Sequence, residues 1–158
     1  MSLYTKLVSN ILFPLHELVK KHDTTRIRKN LEKSQWSSLE SLKQEQAQRL
    51  SAFISKVYQQ VPYYKKVMDE KGVSSGDIQS PVDLSKLPFL TKALIRDNFE
   101  ELRSASAGPL SRFNTGGSSG QPLIFLLGKE RVSHDVAEKW RATRWWDVDI
   151  GDNKIKKI

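Results

Sequence analysis

The residues best suited to chemistry lie in one short run, Thr115-Gly116-Gly117-Ser118-Ser119-Gly120. Nucleotide phosphates need many hydrogen-bond donors set in a concave stretch of backbone, and glycine permits positive φ with no side chain in the way. Gly116, Gly117 and Gly120 meet that need. The Thr115, Ser118 and Ser119 hydroxyls can follow phosphate oxygens as negative charge moves toward a leaving group. Taken alone, the run suits a flexible hairpin tip equally well, because Gly/Ser stretches are common in connections. The phosphate-loop pattern G-x-x-x-x-G-K-[ST] is absent, which argues against a kinase or a GTPase.

No second constellation competes with it. His134 has the right unperturbed pKa for a general base, but no motif surrounds it and it reads as a surface histidine. His16 and His22 are wrongly spaced for a helical metal pair, so no metal ligand and no catalytic residue is assigned. The absence of cysteine removes disulfides, thiolate zinc sites and a cysteine nucleophile, and fits a reducing, cytoplasmic setting.

The elements that must position the run follow from periodicity. Short β-like stretches, 111–115 and 122–127, flank it, and a helix from about Glu130 to Trp146 follows, with Val132, Val136, Trp140 and Thr143 at helical spacing. Gly151-Asp152 ends that helix, and residues 153–158 resemble the start of a strand. Upstream, Ser37-Ser38-Leu39-Glu40 has the capping-box form and predicts a helix start. Leu39, Leu42, Ala47, Leu50, Phe53, Ile54, Val57 and Val61 then form a core stripe. Pro62 ends the helix, Tyr63-Tyr64 anchors the corner, and residues 63–71 form a short turn closed by Gly72. Residues 74–87 read as an irregular connection, and Thr91 caps a helix over residues 92–102. The basic stretch from Lys20 to Lys33 reads as a solvated connection. Leu3 to Leu18 is interrupted by Lys6, Asn10, Pro14, His16 and Glu17, so it is an amphipathic element, neither a membrane span nor a cleaved leader.

At 158 residues and 38% hydrophobic the chain has the size of one globular domain. Its net charge of +8 suits a polyanionic partner without choosing between nucleotide, nucleic acid and membrane.

Thr115 to Leu123, with Gln121-Pro122 after the last glycine, resembles the phosphate-loop signature of the adenylate-forming superfamily. Val61-Pro62-Tyr63-Tyr64 and Leu87-Pro88-Phe89-Leu90-Thr91-Lys92 resemble two N-terminal signatures of phenylacetate-coenzyme A ligase relatives, and Arg141, Arg144, Trp145, Trp146 and Gly151-Asp152 resemble the helix and turn that follow the loop there. Phe13-Pro14-Leu15 and Leu31-Glu32-Lys33-Ser34-Gln35-Trp36 resemble the branch associated with capsular polysaccharide biosynthesis.

The resemblance implies an α/β fold: the mostly helical N-terminal part of an adenylate-forming large domain, with a β-hairpin carrying the phosphate loop. Residues 1–36 would be an amphipathic arm and basic connection, and residues 37–158 a partial ligase domain. It implies Mg-ATP, a small-molecule carboxylate activated to an acyl-adenylate, and in better-known members coenzyme A as acceptor. Thr115, Gly116, Gly117, Ser118, Ser119 and Gly120 would hold the ATP phosphates. Leu123 stands where many superfamily members carry lysine. The aromatic-Gly-x-Thr-Glu motif, the ribose aspartate and the C-terminal lysine have no counterpart up to Ile158. The expectation is therefore an N-terminal fragment, inactive alone, that calls for its C-terminal part or another chain.

Two other classes remain open: a noncatalytic interaction module, and a basic nucleic-acid-binding domain in which Trp140, Trp145 and Trp146 interleave with Arg141 and Arg144. The resemblance makes those tryptophans packing residues and implies no nucleic-acid partner.

Overall fold

The computed structural model describes residues 2–116 and 122–152. Two compact units emerge, one formed by Met1–Ser37 with Leu127–Ile158, the other by Ser38–Leu126. The described residues are mostly helical, with one small two-stranded antiparallel sheet, an α/β composition.

The first unit begins with α1 (Leu3–Leu7), which passes through a π-helical turn (Val8–Leu12) into α2 (Phe13–Lys20). Ser2 starts it by accepting a hydrogen bond from the Thr5 N–H, and Lys21 ends it in the left-handed region at φ 57°. After a short turn, α3 (Thr24–Ser34) packs against α7 (Lys129–Arg144). The stretch expected to be a solvated connection is thus a helix. Lys and Arg are good helix formers, and one face of α3 is buried through Thr24, Ile27 and Arg28. Arg28 tolerates burial because Glu32 accepts two bonds from its Nη1, at 2.6 and 2.7 Å, and its guanidinium lies 4.3 Å from the centre of the Trp140 ring.

The buried residues of α7 are Ser133, Ala137 and Trp140, with Val132 and Val136 half-buried beside them. Phe13 of α2 meets Trp140 edge-on, ring centres 5.0 Å apart. The turn after α7 includes Gly151 at φ 92°, where an added Cβ would stand 2.7 Å from the Cβ of Val8. Glycine is required there both by conformation and by the close approach of the π turn.

In the second unit, α4 (Leu39–Gln60) starts on Ser38, whose hydroxyl accepts from the Ser41 N–H at 3.2 Å, one residue later than the capping box places it. Only part of its apolar stripe is core. Ile54 is buried with Met68 and Ile78, and Leu50, Tyr58, Val73 and Leu87 pack around them. Leu39, Leu42 and Phe53 are exposed. Periodicity assigns residues to a stripe, but only covering elements bury it, and the buried cluster joins α4 to residues 68–87 near its C-terminal half.

Residues 62–71 form a helix, α5 (Pro62–Lys71), not a turn: Pro62 occupies its first position, where a missing N–H costs nothing, and Gly72 closes it at φ 63°. Two 3-10 turns, Ser75–Asp77 and Pro81–Lys86, fill the irregular connection, each with a capping box. Thr91 caps α6 (Lys92–Asp97), which stops short of Leu102 because the backbone leaves the helical region at Asn98. Then β1 (Leu110–Asn114) pairs with β2 (Ile124–Gly128).

Candidate functional site

Of the six residues expected to hold phosphate, Thr115 and Gly116 are described; Gly117, Ser118, Ser119 and Gly120 lie outside the described residues, as does the expected strand start at 153–158. Thr115 is bound twice to Leu123. Its N–H donates to the Leu123 carbonyl, and its Oγ1 accepts from the Leu123 N–H, both at 3.0 Å. The threonine side chain thereby extends the pairing of β1 and β2 by one rung, while its hydroxyl proton stays available as a donor. Phe113 and Phe125 stack behind it, ring centres 6.2 Å apart.

Gly116 is neither at positive φ nor crowded, since an added Cβ would meet no atom within 4 Å. Packing among the described residues therefore gives no reason for glycine at this position, whereas close approach of a ligand to the backbone would. Among the described residues no group of three or more His, Asp or Glu side chains is arranged to hold a metal ion.

The structure also brings together two motifs whose meeting was not visible in the sequence. Tyr64, from Val61-Pro62-Tyr63-Tyr64, and Leu87, Pro88, Phe89 and Leu90, from the second motif, line one apolar groove of about 520 Å³. The groove depends on the α4–α5 corner. Tyr63 is buried there, its ring edge-on to Tyr64 at 5.4 Å, and its N–H donates to the Glu101 carbonyl at 3.0 Å. The Gln60 carbonyl accepts from the Ala105 N–H at 2.7 Å, and Gln60 Oε1 accepts from Ser106 Oγ at 2.6 Å. Burial raises the Tyr64 phenol above its ordinary pKa, so it stays protonated at neutral pH.

The 3-10 turn Pro81–Lys86, whose Pro81, Val82, Leu84 and Ser85 also line the groove, is held by carboxylates. The Lys86 ammonium and the Ser80 hydroxyl hold Asp83 far below the usual carboxylate range, and Ser74 likewise lowers Asp77. Carboxyls that release protons more readily when folded stabilise fully above their unfolded pKa, and that contribution is lost as pH falls through the folded value. Carboxyl NMR titration of Asp83 should give a midpoint well below 3.8. A midpoint at the ordinary value would mean that the Ser80–Asp83 cap is absent in solution.

The tryptophans divide. Trp140 is packed as expected, but Trp145 and Trp146 are exposed, because α7 ends at Arg144 and the following turn directs the chain away from the helical stripe. Trp145 Nε1 donates to Gln35 Oε1 at 2.9 Å, and Arg141 lies 5.3 Å from its ring centre. Asp149, which no sequence motif singles out, is 2% exposed and gathers Trp140, Arg144 and the Ile150 N–H. A lone aspartate in a predicted turn carries no signal of burial.

Phenylacetate-coenzyme A ligase of Aromatoleum evansii is 39% identical over 97 residues, which make up 60% of this chain and 22% of that protein. The chain is similar in sequence to phenylacetate-coenzyme A ligases. The enzyme of the same name from Thermus thermophilus is 30% identical over 54% of the chain, and Protein CapK of Staphylococcus aureus 25% identical over 58%. These stretches cover 20% of each relative, so the chain spans about a fifth of the length of the curated relatives it matches. No family model matches the chain.

Proposed function

We propose that this chain contributes the phosphate-holding loop of an ATP-dependent, carboxylate-activating ligase. The observation that carries the proposal is Thr115, which two hydrogen bonds fasten to Leu123 at the foot of the Gly/Ser run, followed by Gly116, which packing among the described residues does not require. In this reading Thr115, Gly116, Gly117, Ser118, Ser119 and Gly120 face the triphosphate of Mg-ATP. When bound, that group supplies the electrophilic phosphorus for adenylate formation. The chain's own part is to offer backbone N–H groups and hydroxyls to the phosphate oxygens as charge moves toward pyrophosphate.

Similarity to phenylacetate-coenzyme A ligases supports a small carboxylate as substrate and coenzyme A as acceptor. The resemblance of Phe13-Pro14-Leu15 and Leu31 to Trp36 to the capsular polysaccharide branch supports a role in capsule formation. The adenine, ribose and general electrostatic functions of such an enzyme need residues that the matched fifth does not supply, so turnover by the 158-residue chain alone is not expected.

The test is carboxylate-dependent exchange of pyrophosphate into ATP by a ligase that carries this segment. Gly117→Val should lower exchange by about 100-fold, as losing one such set of phosphate contacts does elsewhere, and Ser118→Ala by about 10-fold. Exchange unchanged in both variants would remove the loop from the mechanism.

A further inference from the structure

On the helix from Leu3 to Lys20 the buried side chains are polar, with Phe13 half-buried against Trp140 beside them, and every leucine faces solvent. Thr5, Ser9 and Glu17 are 1%, 5% and 6% exposed, whereas Leu3, Leu18 and Val19 are 87%, 74% and 81% exposed. Thr5 Oγ1 donates to Asp152 Oδ1 at 2.8 Å, and Glu17 lies 3.5 Å from His22 Nδ1, so polar contacts within the first unit hold the inner face. The outer face reads Leu3, Leu7, Ile11, Leu15 and Leu18, all exposed. In a regular α-helix a four-residue step drifts about 40° around the axis. The wider π turn at Val8–Leu12 takes some of that drift back and keeps the row of leucines and isoleucine on one side.

The charges around this row are of one sign. Lys6, Lys20 and Lys21 are exposed, and the helix's single acid, Glu17, is buried. Over Met1–Ser37, seven Lys and Arg stand against three Asp and Glu. Self-association fits poorly, because the exposed lysines of two such helices would find no exposed acid on either helix. No helix among the described residues is long and apolar enough to cross a membrane. An apolar row flanked by lysines and too polar on its other face to span is the pattern of a helix lying in the plane of a lipid surface. Trp36 and Trp146, both exposed on the same unit, are side chains that settle at headgroup depth.

We propose that the helix Leu3–Lys20 docks the chain on an anionic lipid bilayer, its apolar row entering the headgroup boundary and its lysines meeting lipid phosphates. This goes beyond the ligase reading and does not depend on it.

The experiment is co-sedimentation of the 158-residue chain with vesicles of phosphatidylcholine alone, or with one third phosphatidylglycerol. Binding to the anionic vesicles is expected, at least about tenfold weaker on neutral ones and weakened by salt. Leu7→Gln with Leu15→Gln should lower it by about tenfold or more, and Lys6→Gln with Lys20→Gln should remove the preference for anionic lipid. All four positions are solvent-facing, so unchanged far-UV circular dichroism is expected, and Ile11→Gln serves as an independent variant should either pair disturb the fold. No binding to anionic vesicles, or binding that the leucine pair and Ile11→Gln leave intact, overturns the proposal. A dimer in sedimentation velocity that the leucine pair abolishes, without vesicle binding, would assign the row to a second copy instead.

Discussion

Replacing Asp149 with alanine is expected to destabilise the first unit by about 3 kcal/mol, because it removes a buried acceptor from the Trp140 N–H, the Ile150 N–H and the part-exposed Arg144. Asp149 is 2% exposed and accepts from Trp140 Nε1, from Arg144 Nη1 at 3.0 Å and from the Ile150 N–H at 2.8 Å. Its own N–H donates to Asp152 Oδ2 at 3.1 Å, and Asp152 in turn accepts from Thr5. The carboxylate therefore links α7, the turn after it and the N-terminal helix. Alanine would leave the Trp140 N–H buried without its acceptor. Arg144 would keep Glu32, 3.0 Å from its Nε, which limits the loss. Asp149→Asn preserves an acceptor for Trp140 but not the charge beside Arg144, and about 2 kcal/mol is expected. Trp36, Trp140, Trp145 and Trp146 all belong to this unit, so urea unfolding followed by tryptophan fluorescence reads it directly. A loss under about 1 kcal/mol for Asp149→Ala would show that the carboxylate is hydrated in solution.

Met68→Ala should cost the second unit about 3 kcal/mol. Met68 has no exposed surface and lies with Ile54 and Ile78 in the core cluster, against which Leu50, Tyr58, Val73 and Leu87 pack. Truncation opens a cavity in the cluster against which Leu87, a residue of the groove lining, packs. Met68→Leu conserves volume and should cost under about 1.5 kcal/mol. The loss is read from the urea midpoint followed by near-UV circular dichroism of Tyr58, Tyr63 and Tyr64, all in this unit. If alanine and leucine behave alike, the cluster relaxes around the site and does not brace the groove.

Local rules carried far along this chain. Ser38, Thr91, Pro62 and Gly72 set helix ends where capping chemistry places them, within a residue, because a cap satisfies its neighbours' backbone groups and needs no distant partner. The two strands and the helix after them likewise lie within two residues of where the sequence places them. Charge alone predicts a solvated stretch from Lys20 to Lys33, but a guanidinium is buried once Glu32 and the Trp140 ring lie beside it, and Trp140 is more than a hundred residues away. The lower half of the α4 stripe departs in the opposite sense, since Leu39 and Leu42 have the spacing of core residues and remain exposed.

The sequence by itself determined the helix starts at Ser38 and Thr91, the two strands and the helix after them, the glycine run of the candidate loop and the similarity to phenylacetate-coenzyme A ligases, because each depends on residues close together in the chain. Only the tertiary structure decided three things. It joined Tyr64 to Leu87–Leu90 in one groove, placed Asp149 against Trp140 and Arg144, and left the leucines of the N-terminal helix facing solvent. A hydrophobic pattern states which side chains share a face. Which face is covered depends on the contacts of segments far apart in sequence, and those exist only once the chain has folded.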